Sequence, residues 1–398
     1  MGGFVARPSI RSGFAWTVAG NVANGFGQWA ILSVLAKLGS AEMLGQYALA
    51  MAVALPVAML AHLNLRAVLA TDVRNAHPFA DYAAVRLRAN AVALAVLASI
   101  AFFTPVPLLV MLIGAGILAE NSSDLRYAVM QRRDRLDIVA QSMILRSVLA
   151  ILTVAVSVYV FRSALAAAAA YCMTRMAVLV AWDIPKGRTE SGTIANPQEV
   201  FRAALPLGFT LMLTSLTANV PRYAIERYEG TRELGIWAVI ASFVTVGSTV
   251  VNAVGQTALT RVARRFAEGD PSGVRRIAWR MVGIAVGLGS AGTVVAAIAG
   301  RPLLALLYRP EFAAYADVLV WMLLAASLGW AASMLGYVST GMRAFKQQSV
   351  LLGVSAAVSA AASFVAVPVF GLWGAVAAVA AAGLVQLIGQ VWILSRGL

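Results

Sequence analysis

Polar positions are sparse along this chain, and the stretches between them are long. Apolar runs able to cross a hydrocarbon layer of about 30 Å, which takes roughly 20 helical residues, recur from one end to the other. They are Gly13 to Leu35, Leu44 to Leu63, Ala89 to Phe103, Pro107 to Tyr127, Ala140 to Phe161 and Ala164 to Trp182. Six more complete the set: Phe201 to Val220, Leu234 to Gln256, Trp279 to Ala299, Asp317 to Val338, Val350 to Phe370 and Leu372 to Leu394. Inside lipid every backbone N–H and C=O must find a partner within the protein, and these runs far exceed the alternating strands of about ten residues in an outer-membrane barrel. The pattern therefore predicts an all-α integral membrane protein with twelve transmembrane helices. The first run is too long for a signal-peptide core and lacks a convincing cleavage site, so it is read as retained.

Some spans carry polar stripes. The first has Thr17, Asn21, Asn24 and Gln28 at spacings of four, three and four, which places them on one helical face. The seventh has Thr210, Thr214 and Thr217, and the eighth has Ser242, Thr245, Thr249, Asn252 and Gln256 with the same periodicity. Such stripes serve either as interhelical glue or as the wall of a hydrated cavity, and the longer amides favour the wall.

Composition narrows the class further. Of 398 residues, 61% are hydrophobic and 12% charged, against about a quarter charged in soluble domains. The formal net charge is +14, and its distribution decides what it means. Twenty-three of the 31 Lys and Arg residues fall in the tails, the connections after even-numbered spans and the span ends that border those connections. Seven follow odd-numbered spans, and Arg175 lies within one. This is the positive-inside pattern with both termini cytoplasmic. The richest clusters are Arg261, Arg264, Arg265, Arg275, Arg276 and Arg280, and Arg126, Arg132, Arg133, Arg135 and Arg146. They read as a membrane-facing border; no nucleic-acid partner is expected, because no folded extramembrane module presents them. Short connections exclude a large soluble catalytic domain. Cys172 is the only cysteine, so neither an internal disulfide nor a cysteine-rich metal site is expected.

The chain also repeats itself. Leu44-Gly45-Gln46-Tyr47-Ala48 returns as Leu234-Gly235-Ile236-Trp237-Ala238, and the same offset carries Leu69 onto Leu259, Arg74 onto Arg264 and Arg86 onto Arg276. A second offset takes Arg132 to Arg343, Arg135 to Lys346 and Ala164 to Ala375. The expected organisation is two pseudo-symmetric six-helix bundles, residues 1–182 and 200–398, joined by a flexible cytoplasmic linker at 183–199 rich in Gly, Pro and polar residues. Six is even, so the repeat is parallel, as in transporters whose substrate path lies between halves.

Ionisable residues at mid-depth cost roughly 2.5–3.5 kcal/mol each by insertion scales, so each needs a partner or water. At 1.5 Å per residue, Glu120 lies about 20 Å below the outer end of the fourth span and Arg175 about 18 Å below that of the sixth. Arg146 comes near the same layer from the fifth, and Asp124 is one turn from Glu120 on the same face. The expectation is one network of Glu120, Asp124, Arg146 and Arg175. It is either a structural ion-pair cluster or a site that holds an anionic substrate or couples to a cation. Arg222 and Glu226, four apart near the outer end of the seventh span, read equally as an outer gate or as an exposed helix-end salt bridge. His62 is expected at the interface and Cys172 in packing. Trp16, Trp29, Trp182, Trp237, Trp279 and Trp373 mostly fall near span ends, as interfacial anchors do.

With these residues in view, the chain resembles the oligosaccharide flippases of the multidrug, oligosaccharidyl-lipid and polysaccharide exporter superfamily. The likeness runs through Arg11-Ser12-Gly13, Leu44-Gly45-Gln46-Tyr47-Ala48, Gln131-Arg132 with Arg135, Leu303-Leu304 through Leu307-Tyr308, Glu311-Phe312 and Gly371-Leu372-Trp373-Gly374-Ala375. The resemblance implies a V-shaped pair of six-helix bundles in the bacterial inner membrane. It implies transfer of an undecaprenyl-diphosphate-linked oligosaccharide to the outer leaflet by alternating access, with a proton or sodium ion as the coupling species and no other cofactor. Cationic cavity residues in such proteins face the diphosphate; by position, Arg146 and Arg175 are the candidates, with Asn21, Asn24, Gln28, Asn252 and Gln256 on the wall. The chain lacks the extra helix pair of peptidoglycan-precursor flippases, which favours an O-antigen or exopolysaccharide unit. Membrane lipids, a polysaccharide polymerase and a chain-length regulator are the partners the resemblance suggests. A cation-coupled drug exporter of the same superfamily, a membrane-embedded polymerase or ligase, and an assembly scaffold are the alternatives. For the enzyme no catalytic constellation is visible: there are two histidines, His62 and His77, and no Asp-x-Asp pair.

Overall fold

The computed structural model describes residues 10–72, 76–189 and 192–397. Arg74 and the side chains of Arg11 and Ser12 lie outside the described residues. The helices in order are α1 Ile10–Leu38, α2 Ala41–His62, α3 Leu65–Thr71, α4 Phe79–Ala101, α5 Pro107–Arg132, α6 Leu136–Phe161 and α7 Ala164–Val178. A π-helical turn, Leu179–Asp183, leads into the one-turn α8 Ile184–Lys186. Then come α9 Pro197–Tyr228, α10 Thr231–Ala267, α11 Pro271–Leu307, α12 Ala316–Gly341, α13 Phe345–Phe370 and α14 Leu372–Gly397. No strand occurs among the described residues.

Eleven of these helical runs are long and apolar enough to cross a membrane. The twelfth long helix, α1, has 29 residues, about 43 Å at 1.5 Å per residue, and owes its lower hydropathy to the stripe of Asn21, Asn24 and Gln28. The chain is thus a multi-pass membrane protein. Several helices outrun their apolar cores: α10 and α11 have 37 residues each, because Ala and Arg continue a helix beyond the apolar run.

The chain divides into two compact units, Met1–Ser215 and Leu216–Leu398. Within the first, α5 packs on α2, α4 and α7, α2 on α4, and α6 on α7. Within the second the same pairings recur one for one: α12 on α10, α11 and α14, α10 on α11, and α13 on α14. Burial repeats as well. Leu44 and Leu234 are fully buried, as are Tyr47 and Trp237, and Ala48 matches Ala238. Trp237 is therefore a core residue at the start of α10, not an interfacial anchor, because it takes the packing position that Tyr47 holds in the first unit. The units differ at the end of α2. Leu63 and Asn64 adopt left-handed conformations at φ 52° and 47° and break α2 from α3, where α10 runs on unbroken.

Polar side chains join the helices at the break. Arg86 of α4, 3% exposed, donates to the carbonyls of Ala61 and His62 at 2.8 Å each, satisfying acceptors that the end of α2 leaves open. Asn121 of α5 donates to Ala58 O at 2.9 Å, and Asn90 of α4 to Leu118 O and Ser122 Oγ.

Candidate functional site

Close approach of α1, α5, α6 and α7 brings the charged residues together. Gly27 of α1 lies where a Cβ would come within 2.8 Å of Ser147 Cβ on α6, so α1 can sit tightly against α6. That places Asn24 Oδ1 where Arg146 Nη2 donates to it at 3.3 Å. Gly116 does the same for α5 and α7: an added Cβ would stand 2.8 Å from the Tyr171 ring. One turn beyond Tyr171, the Arg175 guanidinium stacks over that ring at 3.7 Å, within cation–π range.

Glu120 of α5 joins the two arginines. Arg146 Nη2 meets Glu120 Oε1 at 2.9 Å, and Arg175 Nε donates to Glu120 Oε2 at 3.1 Å. Two guanidiniums share one carboxylate, which leaves a net charge of +1 in the cluster. The arginine side chains are 3% and 4% exposed and Glu120 is 25% exposed. The arginines do not line an open surface here; Glu120 is the member that does, because it lies over guanidiniums held below it by α6 and α7. Arg146 Nε and Nη1 are buried with no hydrogen-bond partner in the protein.

Asp124 does not join this network. It turns to the α2–α3 break, where His62 Nε2 approaches Oδ2 at 3.2 Å and Arg66 Nη1 donates to Oδ1 at 3.1 Å. Asn64 N–H donates to His62 Nδ1 at 3.2 Å, so the ring carries its proton on Nε2, toward Asp124. His62 is thus a partner in a half-buried polar cluster at the end of α2. Arg222 and Glu226 of α9 do not form a salt bridge with each other: Arg222 Nη1 donates to Asn219 Oδ1 at 3.0 Å, while Glu226 Oε1 accepts from Thr231 Oγ1 at 3.1 Å.

The stripes stay largely uncovered. Asn21, Gln28, Thr245, Thr249, Asn252 and Gln256 are exposed. Thr245 and Thr249 return their hydroxyls to the carbonyl four residues back, and Asn252 Oδ1 accepts from Tyr337 at 3.3 Å. Ser242 is the exception, buried and hydrogen-bonded to Tyr308 at 2.9 Å. An apolar groove of about 620 Å³ between α2, α4 and the first turns of α9, lined by Leu60, Val92 and Phe201 with Arg88 as its one charge, contains none of these residues.

Four residues of this region were not legible as site members. Tyr171 was signalled by its spacing of four from Arg175. Arg66 and Arg86 sit in a connection that reads simply as basic. Asp183, placed by its sequence at the start of the linker, is fully buried in the π turn.

No protein-family model matches the sequence. The capsular polysaccharide biosynthesis protein CapF of Staphylococcus aureus is 23% identical over 309 residues, covering 75% of this chain and 77% of CapF. Among solved structures, an inward-facing multidrug resistance MATE family transporter of the MOP superfamily matches with a TM-score of 0.72. Identity is 12%, and the match covers 96% of this chain and 94% of that one. The chain has the MOP-superfamily fold. The same MOP fold appears in the lipid II flippase MurJ, inward closed, with a TM-score of 0.75 at 10% identity over 95% of this chain and 87% of MurJ. A MOP superfamily transporter from Pyrococcus furiosus Vc1, described for the reverse polarity of its binding pocket, matches at 0.63 and 12% identity, covering 98% and 96%.

Proposed function

We propose that this protein is a transporter that flips a polyprenyl-diphosphate-linked oligosaccharide from the cytoplasmic to the outer leaflet of a bacterial inner membrane, for O-antigen or exopolysaccharide assembly. The unequal charge of the buried cluster carries the reading. Arg146 and Arg175 share Glu120 alone, and two nitrogens of Arg146 have no protein acceptor. A diphosphate supplies the missing acceptors, and charge-assisted bonds to it are strong in a site of low dielectric. Glu120, partly exposed, is the anion that such a ligand displaces. The exposed amides of α1 and α10 suit sugar hydroxyls, since in a membrane helix they need water or another polar partner, while the polyprenyl tail can stay in lipid. The name of CapF and the printed activity of MurJ support the same substrate class.

In this reading both termini are cytoplasmic, which the excess of Lys and Arg in the even connections supports. The product passes to a polysaccharide polymerase and its chain-length regulator. The test is deletion of the gene and then analysis of lipid-linked intermediates. The expected result is an undecaprenyl-linked oligosaccharide accumulating in the cytoplasmic leaflet; unchanged surface polymer in the deletion strain would refute the function.

A further inference from the structure

The apolar groove of about 620 Å³ between α2, α4 and α9 shares no residue with the arginine cluster. Its walls are single helical faces. On α4 the lining residues Arg88, Val92 and Val96 are spaced by four, and on α9 Phe201, Leu205 and Met212 by four and seven, spacings that hold a stripe on one side of a helix. Gly208 sets how closely the third wall approaches. A Cβ there would stand 2.6 Å from Leu60 O and 2.9 Å from Leu63 Cδ2, so α9 seats directly on the end of α2. Beside that contact, Val200 and Ala204 are buried with Leu63, Tyr82 and Val85 in one cluster. The groove is therefore shaped by packing within the first unit.

Its depth and its charge are matched to the membrane. Arg88 immediately precedes the apolar run that starts at Ala89, and Arg202 is the second residue of the run that starts at Phe201. These are the third and seventh spans, so both enter from the same side. Both guanidiniums thus stand where hydrocarbon meets headgroups, the level at which long basic side chains settle. From Phe201 to Met212 the groove runs about 16 Å at 1.5 Å per residue, about half of a hydrocarbon core of about 30 Å. That is the depth of one leaflet.

Arg202 adjoins Phe201 and lies three residues before Leu205, so it flanks the face of α9 that lines the groove. Arg88 and Arg202 are both exposed, and neither has an ionic or hydrogen-bonded partner among the described residues. Glu199, one turn before Arg202, is engaged instead by Asn196 Nδ2 at 3.0 Å. Two uncompensated guanidiniums above an apolar cleft complement a lipid phosphate and its chain: the planar forks bind phosphate oxygens, and basic pockets between membrane helices hold anionic headgroups. A polyprenyl tail is longer than a cleft of one leaflet and fits it less well.

We propose that this groove binds one anionic glycerophospholipid, its phosphate on Arg88 and Arg202 and one acyl chain along Val92, Val96, Leu205 and Met212. The boundary between the two units falls inside α9, after Ser215, so the lipid braces the first-unit half of that helix against α2 and α4. The site is independent of the substrate proposed above; it takes from that reading only the cytoplasmic side of the membrane.

Native mass spectrometry of the delipidated full chain tests the site, with phosphatidylglycerol and phosphatidylcholine as probes. The expected result is one saturable phosphatidylglycerol, retained in preference to phosphatidylcholine. Arg88→Gln and Arg202→Gln should each weaken it by about tenfold, the loss of one charge-assisted bond. Val92→Trp, at a position 63% exposed, should block the acyl chain while the unfolding temperature in lipid-free detergent stays native. Replacing Arg261 and Arg275, exposed on α10 and α11, with Gln should leave this binding unchanged. Equal retention of the two lipids assigns the groove to bulk lipid and overturns the site. So does native phosphatidylglycerol affinity in the Arg88→Gln, Arg202→Gln double variant or in Val92→Trp. Farnesyl diphosphate that displaces the phospholipid and itself binds less well to Val92→Trp would give the groove to the substrate's tail and overturn the proposal too. Should Val92→Trp not fold, the two exposed arginine variants decide.

Discussion

Replacing Arg146 with Ala separates binding from stability in a way that the shared carboxylate makes distinctive. In the resting protein Arg146 makes one charge-assisted bond to Glu120 and a weaker one to Asn24. Glu120 keeps Arg175 when Arg146 is gone, so no charge is orphaned, and the loss of folding stability should stay near that of one such bond, about 1.5–3 kcal/mol. Glu120→Gln is the contrasting change, because it strips two buried guanidiniums of their counter-ion; breaking a buried pair costs about 3–5 kcal/mol. Binding should rank the other way. Two nitrogens of Arg146 have no protein partner, and if each bonds a phosphate oxygen, their removal forfeits about 3–6 kcal/mol. That is a Kd weaker by about 10²–10⁴ at 1.4 kcal/mol per tenfold. Glu120→Gln removes a competing anion and should bind at least as tightly as the native chain. Calorimetric titration of purified protein with farnesyl diphosphate, beside thermal unfolding monitored by tryptophan fluorescence, measures both quantities. A Kd for Arg146→Ala within about threefold of native, some 0.6 kcal/mol, defeats the reasoning. So does a Glu120→Gln variant that loses affinity as severely as Arg146→Ala.

The geometry implies three further outcomes. Asp81 is fully buried and accepts from the backbone N–H groups of Ala195 and Asn196 at 2.8 and 2.9 Å, so Asp81→Ala should release the segment before α9 at a cost of about 2–4 kcal/mol, read as faster tryptic cleavage after Arg188 with α5 still protected. Gly116→Ala drives a methyl into the Tyr171 ring. Overpacking of this kind costs about 1–3 kcal/mol, and because the ring carries Arg175 it should weaken diphosphate binding as well; normal unfolding and normal affinity together would show that α5 and α7 can separate freely. Asp270 caps α11, and the hydrogen bonds from Ser272 and from Gly273 N–H hold its carboxyl below the usual aspartate value. A depressed carboxyl contributes its stabilisation above the unfolded value of about 3.9 and loses it as pH falls through the lower folded value. Amide exchange in the first turn of α11 should therefore quicken only at strongly acidic pH in the native chain, and at neutral pH in Asp270→Ala.

The sequence by itself determined the class of the molecule: a helix count near twelve, the polar faces of α1 and α10, and a duplicated unit. Those properties are local. Run length, period and composition settle whether a segment can satisfy its backbone in lipid, and the recurrence of Leu44 to Ala48 at Leu234 to Ala238 is visible without knowing what either packs against. The matching burial of Tyr47 and Trp237 belongs to tertiary structure, which is why position near a span end misassigned Trp237 to the interface.

Only tertiary structure decided which charge meets which. Glu120 and Asp124 are four residues apart, so they differ by about 40° around the helix and about 6 Å along it. On the sequence that reads as one face; in the bundle it is enough to send Glu120 to α6 and α7 and Asp124 to the α2–α3 break. His62 and Asp183 were hidden for a related reason. One depends on a left-handed kink at Leu63 and Asn64 and the other on a single extra residue in a helical turn, and such small changes of backbone register redirect a side chain only relative to neighbours that the fold has already placed.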